Sequence, residues 1–73
     1  MGLDGLEVGA SATVRGVNGP RPFRRRLLEL GLVPGTRIQR VGQAPLGDPL
    51  TFSLRGVVVT LRARDAAHVR VDP

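Results

Sequence analysis

The 73-residue chain carries eleven basic residues, all arginine, against six acidic ones, a net charge of +5, and it has no cysteine. A chain this short is one domain whose core contributes no more than about 3–5 kcal/mol. Neither a disulfide framework nor a thiolate metal site can reinforce that core. The positive balance favours an anionic partner, whether nucleic acid, an acidic protein face or a membrane surface, although a genome favouring arginine codons would give the same bias. No apolar run nears the roughly 20 residues of a membrane-spanning helix. Residues 1–9 lack the basic-then-apolar pattern of a signal peptide, so the expectation is a soluble, cytoplasmic protein.

Leu3 and Leu6 read as an apolar lead-in that packs on the domain. Residues 12–17 form a first strand, with Gly16 at a bulge or bend. Asn18-Gly19 marks a turn, since both residues tolerate positive φ. Pro20 and Pro22 hold off a regular helix until about Pro22. From Phe23 the period becomes 3.6: Phe23, Leu27 and Leu30 fall on one face and are expected to pack on the sheet. Gly31 is the expected left-handed cap, which brings Leu32 back against Leu27. Pro34 blocks continuation, and Pro34-Gly35 suits the centre of a type II turn. The predicted helix therefore has about two turns and ends at Leu30.

Residues 36–41 read as a second strand in which Ile38 points inward but Arg40 takes the next inward place. Either a bulge resets the register there, or Arg40 lies at a rim with its stem buried and its head in water. Residues 42–49 are a Gly- and Pro-rich loop. The clearest hairpin follows: Leu50, Phe52 and Leu54 on one arm face inward with Val57, Val59 and Leu61 on the other, joined by a tight turn at Arg55-Gly56. Residues 63–67 suit one helical turn with Asp65 as its local cap, and residues 68–71 close as a last strand with Val69 and Val71 inward. Five short strands and one helix predict a mainly β fold, a small and partly open barrel.

Catalytic chemistry is poorly supplied. The single histidine, His68, lies in a predicted strand, and the acids Asp4, Glu7, Glu29, Asp48, Asp65 and Asp72 are scattered without paired-carboxylate spacing. No phosphate-binding glycine loop and no activated-nucleophile signature is present. His and Cys clusters for a metal are absent as well. Neither a catalytic nor a metal site is therefore assigned. Against nucleic acid, there is no Trp or Tyr, and both Phe are expected inward, which removes the platforms on which bases stack. The same lack disfavours an aromatic-lined groove for proline-rich peptides.

One feature of the helix is not explained by stability. Arg24, Arg25 and Arg26 are expected in its first turn, where the positive end of the dipole makes each cation cost about 0.3–1 kcal/mol. Glu29 is within helical reach of Arg25 or Arg26, but exposed pairs return little. Leu28 lies about 140° around the helix from Phe23, off the core stripe. Unless the lead-in around Leu3 and Leu6 covers it, it makes a small docking surface with the arginines.

The run Arg-Arg-Arg-Leu-Leu-Glu-Leu-Gly-Leu-Val-Pro-Gly-Thr from Arg24, the loop Ala-Pro-Leu-Gly-Asp-Pro from Ala44, and Arg55-Gly56 followed by an apolar hairpin arm together resemble the ferrous iron transport protein A (FeoA) family. The resemblance covers about residues 6–71. It implies a small SH3-like barrel with an inserted helix. The implied role is a non-enzymatic cytoplasmic accessory of ferrous iron uptake, without a cofactor or small-molecule substrate. Its implied partner is the cytoplasmic part of the FeoB-type GTP-binding iron permease, through which it would lie at the inner membrane. Arg40 stands where the family often has an apolar residue and Val57 where an aromatic is common, and Pro20 and Pro22 stiffen the approach to the helix. The competing readings are a nucleic-acid-binding or iron-dependent regulatory small barrel and, third, a direct iron carrier. With Phe23, Leu27, Leu30, Gly31, Pro34 and Gly35 assigned to packing and turns, Arg24, Arg25, Arg26, Leu28 and the loop tip Leu46-Gly47-Asp48 remain as the expected partner surface. An exposed last strand over residues 69–71 could also pair weakly with a second copy.

Overall fold

The computed structural model describes all 73 residues. Its strands are β1 (Ser11–Val17), β2 (Arg37–Gln43), β3 (Leu50–Leu54), β4 (Val57–Leu61) and β5 (Val69–Asp72), with helix α1 (Arg21–Glu29) after β1 and the short helix α2 (Ala63–Ala66) before β5. They form one antiparallel sheet in the order β4-β3-β2-β1-β5. The sheet curls around a core in which Phe52, Leu3, Leu27, Leu32, Ile38, Val14, Val69 and Val71 are fully buried. β3 buries Leu50, Phe52 and Leu54 in strict alternation, the period of a sheet with one covered face.

The local signals act where expected. The pairing of β1 with β5 shifts between Val14 and Gly16, and that of β2 with β3 shifts between Arg40 and Gly42. The bulge reading of Arg40 holds, whereas the reading that puts its head in water does not, because Nε of the guanidinium is buried without a partner. The bulge turns Val41 outward, and the half-buried Arg40 sends Nη1 to the Leu6 carbonyl at 2.7 Å and Nη2 to Gln43 Oε1. Arg55 and Gly56 have φ of 50° and 76°, positive at both central positions as a type I′ turn requires. Arg55 then donates to the Thr36 hydroxyl at 3.2 Å, which gives this buried polar residue a partner.

Five expectations are corrected. Leu30 is 44% exposed, because the helix ends one residue earlier and Leu30 is its C-cap; the core place falls to Leu32 after the chain reverses. Val57, at the tip of the hairpin, is 55% exposed, since β4 packs chiefly on β3 there. Asp65 does not cap α2; Asp48 Oδ1 accepts the Ala63 N–H at 2.9 Å instead. Glu29 makes no ion pair, and the one ion pair in the chain joins Arg15 to Asp72 at 2.7 Å. The outer edge of β5 is not free either. Gly2 bridges Arg70, and the Val71 N–H donates to the Met1 carbonyl at 2.8 Å. The open edge is that of β4.

Candidate partner-binding groove

Helix α1 starts at Arg21, with Pro22 in its first turn. A proline there costs nothing, because the N–H it lacks would have had no partner within the helix. This earlier start moves the basic cluster along the dipole. Arg21 and Arg24 stand in the first four residues, Arg25 follows them, and Arg26 reaches the last turn, where a cation is favoured.

The inner side is fixed by packing and capping. Leu27 is buried and Phe23 packs half-buried against the core. The Phe23 ring meets His68 edge-on at 5.3 Å, and the Arg26 guanidinium lies 5.5 Å from its centroid. At the C-terminus, Gly31 N–H donates to Leu28 O at 3.0 Å and Leu32 N–H to Leu27 O at 3.1 Å. These are the paired bonds of a Schellman motif, and Gly31 supplies its positive φ of 105°. Thr36 N–H closes the Pro34-Gly35 turn on Val33 O at 3.1 Å, and Gly35 N–H is pinned to Val14 O of β1 at 2.8 Å.

The outer side carries no such commitments. Arg21, Arg24, Arg25 and Leu28 sit at i, i+3, i+4 and i+7, a single stripe along the helix. With Val17 at the end of β1 and Pro34 in the pinned turn, they line an open groove of about 550 Å³. Leu28 is 40% exposed, so the lead-in around Leu3 and Leu6 does not cover it. None of the three arginines is ion-paired, and no acidic residue lines the groove. It is a basic channel with an apolar wall.

Of the expected partner residues, the groove unites Arg24, Arg25 and Leu28. Arg26 is turned to Phe23. Leu46, Gly47 and Asp48 lie elsewhere: Leu46 is 98% exposed at the loop tip, and Asp48 lines a separate hollow of about 230 Å³ with Arg62 and Arg64. Val17, Arg21 and Pro34 were not foreseen. The sequence does carry a signal for Arg21, its seven-residue spacing from Leu28, which reading Pro22 as a barrier to the helix start obscures. No three His, Cys, Asp or Glu side chains come together as a metal site.

The FeoA domain family model matches residues 1–73. The chain belongs to the FeoA domain family. Over 72 residues it is 40% identical to a Porphyromonas gingivalis protein, the Fe(2+) transport protein A/Fe(2+) transporter FeoB fusion protein. The match takes in 99% of this chain but only 8% of the fusion protein. The solution structure of an FeoA protein from Chlorobium tepidum superposes with a TM-score of 0.91 at 38% identity, covering 99% of this chain and 69% of that one. Stenotrophomonas maltophilia FeoA, solved in complex with zinc and described as a procaryotic SH3 domain protein, matches at 34% identity and a TM-score of 0.86, covering 99% of this chain and 89% of that one. The FeoA domain here has the same SH3-like architecture, a five-stranded sheet with one short helix, and its sheet is not closed. None of its helices is long and apolar enough to cross a membrane.

Proposed function

We propose that this FeoA domain is a non-enzymatic accessory of ferrous iron uptake that works by binding the cytoplasmic part of an FeoB-type, GTP-binding iron permease. The observation that carries the reading is the fusion: a domain 40% identical to this chain is joined to an Fe(2+) transporter in one polypeptide in P. gingivalis. Fusion holds two modules at high effective concentration. A domain of this kind that is not joined to the permease would reach the same proximity by binding it, at the inner face of the membrane. The uncommitted outer side of α1 suits that task, because its arginines and Leu28 are not used by the fold. Leu46 and Gly47 at the loop tip form a secondary candidate contact.

The test is co-elution with the purified permease, together with ferrous iron uptake by cells carrying both proteins. Arg24→Ser, Arg25→Ser and Leu28→Ala combined should leave the circular dichroism spectrum and thermal midpoint near those of the wild type. Co-elution and uptake support should be lost. Normal uptake with the triple variant would exclude this surface, and failure of the wild-type chain to bind the permease would exclude the function.

A further inference from the structure

We infer that the groove beside α1 receives an acidic segment of the partner protein, one that presents a single apolar side chain flanked by carboxylates. The inference rests on the permease-binding reading and adds which chemistry the permease must offer.

Three properties of the groove lead to it. First, its charge is unanswered from within. Arg21, Arg24 and Arg25 stand on one stripe, none is ion-paired, and no acidic residue lines the groove with them. Guanidinium groups pair bidentately with carboxylates. Second, the groove has an apolar wall. Val17, Leu28 and Pro34 line it beside the arginines, a place for one aliphatic side chain rather than for charge alone. The distance along the helix from Arg21 to Leu28 is about 10 Å at 1.5 Å per residue. The occupant should therefore carry its carboxylates within about 10 Å of its apolar anchor, one to two turns away if it is helical. Third, the shape and composition disfavour the other anions. Phe52 is fully buried, the Phe23 ring is flanked by His68 and Arg26, and no aromatic residue lines the groove, so the groove offers no platform on which a base can stack. A concave channel offers a flat bilayer only its rim, whereas a peptide side chain can enter it.

Arg26 supplies an internal contrast. It belongs to the same basic run but lies against Phe23 rather than in the groove. Total positive charge and groove charge can thus be varied separately.

The experiment uses the isotope-labelled whole chain, titrated by NMR with short overlapping synthetic peptides that tile the cytoplasmic region of the permease, and with the intact permease in parallel. Peptides with at least two carboxylates near one apolar residue should bind and shift the resonances of Val17, Leu28 and the Arg21, Arg24 and Arg25 side chains. Arg24→Gln with Arg25→Gln should weaken that binding about tenfold, the summed effect of a few exposed pairs. Leu28→Ser should weaken it as well, and Arg26→Gln should not. Neutral Gln-for-Glu peptides binding equally well would overturn the inference, as would shifts centred on β4 or Leu46. If the intact permease binds but no such peptide does, the acidic-segment inference fails and the accessory reading stands; if neither binds, both fail. Tighter groove binding by duplex DNA, or by vesicles of phosphatidylglycerol and phosphatidylethanolamine, would also overturn it.

Discussion

The two sides of α1 are made from the same nine residues and obey different rules. On the inner side each group has a partner within the chain. Leu27 is buried, Phe23 is bracketed by His68 and Arg26, and the last carbonyls are closed by Gly31 and Leu32. On the outer side Arg21, Arg24, Arg25 and Leu28 have none. A domain of this size draws only about 3–5 kcal/mol from its core. Four side chains left without internal partners on its main helix are therefore a sizeable omission. The contrast teaches that stability is concentrated on one face and that the opposite face is free to serve recognition.

The sharpest way to break this contrast is to exchange adjacent leucines. Leu27→Ala removes a fully buried side chain and should cost about 2–5 kcal/mol, enough to leave much of the population unfolded at room temperature. Leu28→Ala, one residue on and 40% exposed, should cost less than about 1 kcal/mol. Urea denaturation followed by circular dichroism measures both. Similar losses for the two variants would mean that the outer face is part of the core after all.

Gly31→Ala probes the junction between the two sides. Its φ of 105° lies in a region that L-residues avoid, and an added Cβ would stand 3.1 Å from Leu54 Cδ1. The expected loss is about 1–2 kcal/mol, read as a lower urea midpoint. A midpoint unchanged from the wild type would show that the helix can end in another way.

Which features were legible in the sequence follows from how local their causes are. The helix cap, the Pro34-Gly35 turn, the Arg55-Gly56 hairpin and the reset at Arg40 each depend on a few consecutive residues, and all are present. The misread features depend on distant chain. Asp48 and not Asp65 caps α2, because the carboxylate that reaches Ala63 comes from 15 residues away. The β5 edge looked free because nothing in residues 69–71 reveals that Met1 and Gly2 lie along it. Leu30 matched the helical period, but the period cannot show that the cap has already turned the chain and handed the core to Leu32. The groove was half legible for the same reason. Arg24, Arg25 and Leu28 lie close together in sequence, whereas Val17 and Pro34 reach it only through the pairing of the turn with β1.

The smallest expected change in stability is the one that separates folding from recognition most cleanly. Arg21 is the first residue of α1 and lines the groove. A cation in a first helical turn opposes the dipole, and an anion there is favoured. Arg21→Glu should therefore raise stability by about 0.3–1 kcal/mol at low ionic strength. That gain should shrink as salt is added, because exposed charges are screened over about 10 Å at 0.1 M. If the outer face serves recognition of an acidic partner, the same substitution should weaken permease binding while the fold becomes firmer, opposite signs from one side chain. A wild-type arginine that costs the helix a little and gains the complex more is the expected signature of a site shaped by binding. Thermal melts at two salt concentrations, set beside co-elution with the permease, decide it. A variant both more stable and equally well bound would show that Arg21 serves neither purpose, and the recognition stripe would then shorten to Arg24, Arg25 and Leu28.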